Sequence, residues 1–97
     1  MNQKSSKNRT HMRILGDVLE VIIDGGRDGV LVSYVSRRAK LSHNPTLEHC
    51  KKLISAGLVE SKIEQRNHVF TITEKGFHFI HEYRKFRDLV ESFNLRY

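Results

Sequence analysis

Two β-branched runs stand close together in a chain otherwise patterned for helices. Residues 58–64 (LVESKIE) alternate in part, and residues 68–73 (HVFTIT) are β-branched and aromatic. Gln65-Arg66-Asn67 lies between them as a turn. The pair predicts one hairpin. A lone two-stranded hairpin is marginal in water and has to pack on something. In 97 residues, enough for one domain, that partner must be the helices.

Ile14, Leu15, Val18, Leu19, Ile22 and Ile23 recur at three- and four-residue steps, which predicts an amphipathic helix over about 11–24. Gly25-Gly26 ends it, because glycine accepts the left-handed conformation at a helix C-terminus. Asp28-Gly29 continues the turn. Val30 and Leu31 suit a very short strand. A second helix is expected over about 32–39, with Val35 and Ala39 facing the core. Leu41 and Ser42 form a tight turn, and a third helix runs to about residue 56. Either Ser42 caps it, or Asn44 caps it with Pro45 in the first helical position. Leu47, Cys50, Leu53 and Ile54 make its apolar face, and Gly57 stops it. Thr73 caps a last helix over about 74–94, which would span roughly 30 Å. Phe77 and Ile80 on it are expected to pack onto the hairpin and the first helix.

Charge is unevenly distributed. The chain carries a net +6, and its sequence pI is about 9.8. Residues 1–13 hold Lys4, Lys7, Arg9 and Arg13 and no acid, whereas residues 14–28 are net acidic. Residues 29–57 set Arg37, Arg38, Lys40, Lys51 and Lys52 against Glu48 alone. Such a balance favours a polyanionic partner. Residues 1–11 read as a flexible basic arm, too polar to join a core. They do not form a secretory signal, and no apolar run is long enough for a membrane span. Cys50 is the only cysteine, which fits a reducing cytosol and, on the inward helix face, a small buried hydrophobe.

The stretch 41–76 (LSHNPTLEHCKKLISAGLVESKIEQRNHVFTITEKG) joins L-x-x-x-G-L-V (Leu53, Gly57, Leu58, Val59) to a hairpin and then T-x-x-G (Thr73, Gly76). It resembles the winged helix-turn-helix regulators of bacteria and archaea. The tail makes the chain more similar to small basic archaeal DNA-binding proteins, in which a long C-terminal helix dimerises as a coiled coil. The resemblance implies a mainly α fold with a small β hairpin (α+β), a winged helix-turn-helix plus a long C-terminal helix. It divides the chain into an arm (1–11), a winged domain (12–76) and a dimerisation helix (77–97). It further implies a cytoplasmic, nucleoid-associated protein that binds double-stranded DNA as a homodimer, either as a transcription regulator or as an architectural protein.

In that fold the third helix lies in the major groove. His43, Asn44, Thr46, Glu48 and His49 then become candidate base or backbone contacts, while Lys51 and Lys52 suit phosphates. Glu48 either accepts from a cytosine amino group or repels the backbone. Arg37, Arg38 and Lys40 sit at the corner expected beside the phosphates. The wing tip brings Lys62 and Arg66 toward the minor groove.

On the last helix Phe79, Tyr83, Phe86, Val90, Phe93 and Tyr97 follow 4-3-4-3-4 spacing, a heptad seam. A small domain cannot wrap the far end of so long a helix, so a second copy is the expected partner. The six histidines are accompanied by no complete ligand set, and no metal or other cofactor is expected. No catalytic motif appears and no small-molecule substrate is expected. The rival from another class is a winged-helix adaptor whose aromatic seam binds a different protein and which binds no DNA.

Overall fold

The computed structural model describes residues 9–95. Its elements are α1 (His11–Asp24), β1 (Val30–Leu31), α2 (Val32–Ala39), α3 (His43–Ser55), β2 (Val59–Glu64), β3 (Asn67–Ile72) and α4 (Glu74–Ser92). The fold is α+β, as expected: four helices and a three-stranded antiparallel sheet in the order β1-β3-β2. The register pairs Val59 with Ile72 and Glu64 with Asn67, and Val30 of β1 with Phe70. No helix among the described residues is long and apolar enough to cross a membrane.

One core unites the elements. Val18, Leu19 and Ile22 of α1 meet Val35 of α2, Cys50 and Leu53 of α3, Val59 and Phe70 of the sheet and Ile80 of α4. Thr10, grouped with the arm in the sequence, occupies the cap of α1 and accepts a hydrogen bond from Arg13 N at 3.1 Å. Ser42 occupies the cap position of α3, so Pro45 is the third helical residue rather than the first. The Ser42 side chain makes no capping bond. Its carbonyl instead accepts from the Thr46 hydroxyl at 2.8 Å.

The two sequence motifs that carried the resemblance are tied together physically. Gly57 adopts φ 80° after α3, and Leu58 N donates to Leu53 O at 2.9 Å, which closes the helix with a left-handed glycine. The Thr73 hydroxyl then donates to Gly57 O at 2.7 Å and accepts from Gly76 N at 2.9 Å. The stop of α3 and the start of α4 are thus one hydrogen-bonded joint, and the hairpin is the loop it closes.

α4 packs on α1 along one face only. Gly16 of α1 leaves room for the Tyr83 ring: a Cβ there would lie 2.5 Å from Tyr83 Cε2. Beside it, Glu20 accepts two hydrogen bonds from the Arg84 guanidinium, one of them 2.8 Å long, and Arg87 adds a longer contact at 3.8 Å. Ile80 is buried as expected, but Phe77 is not: it is 53 % exposed. Residue 77 lies three positions before Ile80, about 60° round the wheel, and the helix turns it away from both α1 and the hairpin.

Candidate nucleic-acid interface

The helix pair α2–α3 presents its charges outward because its apolar positions are used inward. Val35, Ala39, Cys50 and Leu53 are buried, while Arg37, Arg38, Lys40, His43, Asn44, Glu48, Lys51 and Lys52 are exposed. Arg37 and Arg38 occupy the last turn of α2, where cations also meet the negative end of the helix. Lys40 follows as the C-cap in a left-handed conformation, φ 59°, which brings α3 round into the next helix of the pair. Arg38 lies over the Tyr34 ring, 5.3 Å from its centroid, and donates to its hydroxyl at 2.8 Å.

Thr46 does not belong to this surface. It is 0 % exposed, and its hydroxyl turns back onto the Ser42 carbonyl at 2.8 Å. Cys50 is also buried, and burial pushes its thiol up to about 11. Glu48 pairs with Lys51 at 3.6 Å on the outer face, so the acid on this helix is answered by a lysine of the same helix. His49 is half-buried, and desolvation, together with the electrostatic influence of nearby His11, Lys52 and Arg9, holds its imidazole below the ordinary value, Glu48 acting in the opposite sense.

Two residues grouped with the arm in the sequence also reach this region. Arg9 bonds Asp17 at 2.8 Å and the Lys40 carbonyl at 3.2 Å. His11 touches Lys52 and His49. No sequence signal marks the contacts of Arg9 with Lys40 or of His11 with Lys52, since those partners lie more than thirty residues away. The Tyr34–Arg38 contact did have a signal, the i,i+4 spacing within one helix.

Lys62 and Arg66 stand apart on the hairpin. The tip is a two-residue loop, Gln65-Arg66, with φ 49° and 72°. Two non-glycine residues in left-handed backbone cost of order 1 kcal/mol each. The tight loop projects the Arg66 side chain from the end of the sheet, where it is exposed.

The charges differ in how they are answered. Among the described residues, Arg37, Arg38, Lys40, Lys52, Lys62 and Arg66 form no ion pair with a carboxylate. No group of three His, Cys, Asp or Glu side chains among them is placed to hold a metal.

The winged helix-turn-helix family model matches residues 8–91. No curated protein matches the chain. Among solved structures, Sso10a-2, a DNA-binding protein from Sulfolobus solfataricus, is 24 % identical over 87 % of both chains with a TM-score of 0.67. AF1382 from Archaeoglobus fulgidus is 20 % identical over 92 % of this chain and 98 % of its own, with a TM-score of 0.70. MepR, a transcription regulator of the Staphylococcus aureus multidrug efflux pump MepA, is 14 % identical over 92 % of this chain and 65 % of its own, with a TM-score of 0.74. These likenesses concern the fold. With the family model spanning nearly all of the chain, the protein belongs to the winged helix-turn-helix family.

Proposed function

We propose that this protein binds double-stranded DNA as a homodimer, as a transcription regulator or a nucleoid-type architectural protein. α3 enters the major groove with His43, Asn44, Glu48 and His49 toward the base edges. Arg37, Arg38, Lys40, Lys51 and Lys52 meet phosphates, and Lys62 and Arg66 of the hairpin reach the neighbouring minor groove. The observation that carries this reading is the set of exposed cations on α2, α3 and the hairpin with no carboxylate partner among the described residues. Like charges so close together repel one another until an anion offsets them.

The dimer rests on the outer face of α4. Phe86 and Phe93 are 50 % and 68 % exposed, and with Phe79 they recur every seven residues. Leu89, 56 % exposed, lies between Phe86 and Phe93. A second copy supplies the same stripe in matching period, which is the requirement of a two-helix seam. Tyr83 and Val90, placed on the seam by sequence spacing, are buried within the chain, and Tyr97 lies outside the described residues. Of the seam read from the sequence, Phe86 and Phe93 are the exposed members and Phe79 is partly packed on the chain's own core; the proposed contact is these three with Leu89, which lies off the heptad seam, beside them.

The test is a duplex titration at two salt concentrations, with specific and random competitors, alongside light scattering of the free protein. The reading expects a dimer whose affinity falls steeply as salt rises. Ten-thousand-fold preference for one sequence marks a regulator, and little preference marks a packaging role. A monomer that shifts no duplex sinks the reading and leaves the adaptor alternative standing.

A further inference from the structure

α1 begins against the middle of α3. His11 is the first residue of α1, and its ring centroid lies 5.4 Å from that of His49, with the rings tilted 58°. Its Nε2 is 3.4 Å from Lys52 Nζ. Arg9 stands just before it, fixed by Asp17 and by the Lys40 carbonyl. Side chains from two helices thus converge on one spot on the flank of α3. The acid nearest in sequence, Glu48, is engaged by Lys51 at 3.6 Å. A metal cation has no place beside an ammonium group, and two imidazoles without a third ligand hold one poorly. An anion fits: each imidazole can donate once protonated, and the lysine is a point charge between them.

We propose that His11, His49 and Lys52 form a phosphate site that brings the first turn of α1 into the DNA interface, so that duplex binding takes up protons. The proposal rests on the DNA-binding reading given above. In the free protein the groups facing His49 are Arg9 and His11 from the start of α1, and Glu48 and Lys52 from α3. Those facing His11 are His49 and Lys52. Apart from Glu48 this environment opposes a positive charge on His49 and holds its imidazole toward the neutral form. A phosphodiester oxygen seated among them reverses the sign of the local field and favours the imidazolium form. A group whose pKa is raised on binding strengthens the complex as pH falls, and that gain is lost as pH rises through the bound value. The limit is about tenfold in affinity per pH unit for each proton taken up.

The test follows the ring protons of all the histidines by NMR from pH 5 to 8, in the full chain, free and bound to a random-sequence duplex. His11 and His49 are expected to titrate at a pH higher by about one unit when bound. His78 and His81 on α4 should titrate unchanged and serve as internal controls. Duplex affinity measured over the same range should rise as pH falls, and His11→Gln and His49→Gln should each flatten that slope. Lys52→Gln should weaken binding at every pH. The proposal is overturned if the duplex binds while His11 and His49 titrate as in the free protein. It is overturned equally if both glutamine variants keep the full wild-type slope, which then belongs to His43 or His68. No duplex binding at any pH in low salt is a different result, and it removes the DNA-binding reading itself. The NMR arm uses the unaltered chain, so it does not depend on the variants folding.

Discussion

α3 and α4 carry their unanswered chemistry in opposite forms. On α2 and α3 no large apolar side chain is exposed, but Arg37, Arg38, Lys40 and Lys52 have no carboxylate partner among the described residues. On α4 the reverse holds. Arg84, Lys85 and Arg87 each lie within 4 Å of a carboxylate, while Phe77, Phe86, Leu89 and Phe93 are at least half exposed. Among the described residues, one surface exposes cations without carboxylates and the other exposes apolar side chains. A charge without a partner favours long-range, salt-sensitive binding. An exposed apolar stripe favours close, salt-tolerant packing. The two ends of the molecule are therefore suited to different partners.

Four variants break or sharpen that contrast. The largest effect is expected from Phe86→Asp with Phe93→Asp. Light scattering should show a monomer of unchanged fold, and duplex affinity should fall by about 10²–10⁴ as bivalent binding is lost. A dimer that survives both charges removes the seam. Next, neutralising Arg37, Arg38 and Lys40 together should leave the dimer intact, weaken duplex binding by up to about 100-fold for each protomer engaged, and reduce the log–log salt slope by about 2.7 per protomer engaged. An unchanged slope would show that this corner does not meet phosphate.

The other two act on the joint between the regions. Gly16→Ala places a methyl against the Tyr83 ring and should cost about 2 kcal/mol of stability in denaturant titration. No loss would mean that α4 is not held there. Glu20→Gln should cost less, about 1 kcal/mol, since the pair is partly solvated. The hydrogen bond from Arg84, above all, holds the Glu20 carboxyl below its ordinary value of 4.5. A depressed carboxylate contributes stability that is fully present above that ordinary value and is lost as pH falls through the lower folded value. The wild type should therefore lose stability below about pH 4.5 more steeply than Glu20→Gln, as thermal melts at pH 3 to 5 will report.

Much of the fold was legible because local rules agree with global ones. The apolar period of α1, the glycine at the end of α3 and the β-branched runs each name an element without reference to the others. The outward cations of α2 and α3 were legible for the same reason, since a helical wheel leaves few alternatives once the apolar side is known. Thr46 was not, because a threonine reads as polar although its hydroxyl can turn back on its own helix. Arg9 and His11 were not, because contacts across 31 and 41 residues leave no mark in local pattern.

α4 shows where that boundary falls. The sequence by itself determined that α4 has an apolar stripe, because heptad spacing lines side chains along one side of any helix. It did not determine which of those side chains meet the chain's own domain. Gly16 admits Tyr83, and Glu20 holds Arg84 beside it, so α1 takes one edge of the stripe, while Phe86 and Phe93 stay at least half exposed. The crossing of two helices decided this. Periodicity fixes directions around one axis, and only a second axis packed against the first separates buried positions from exposed ones.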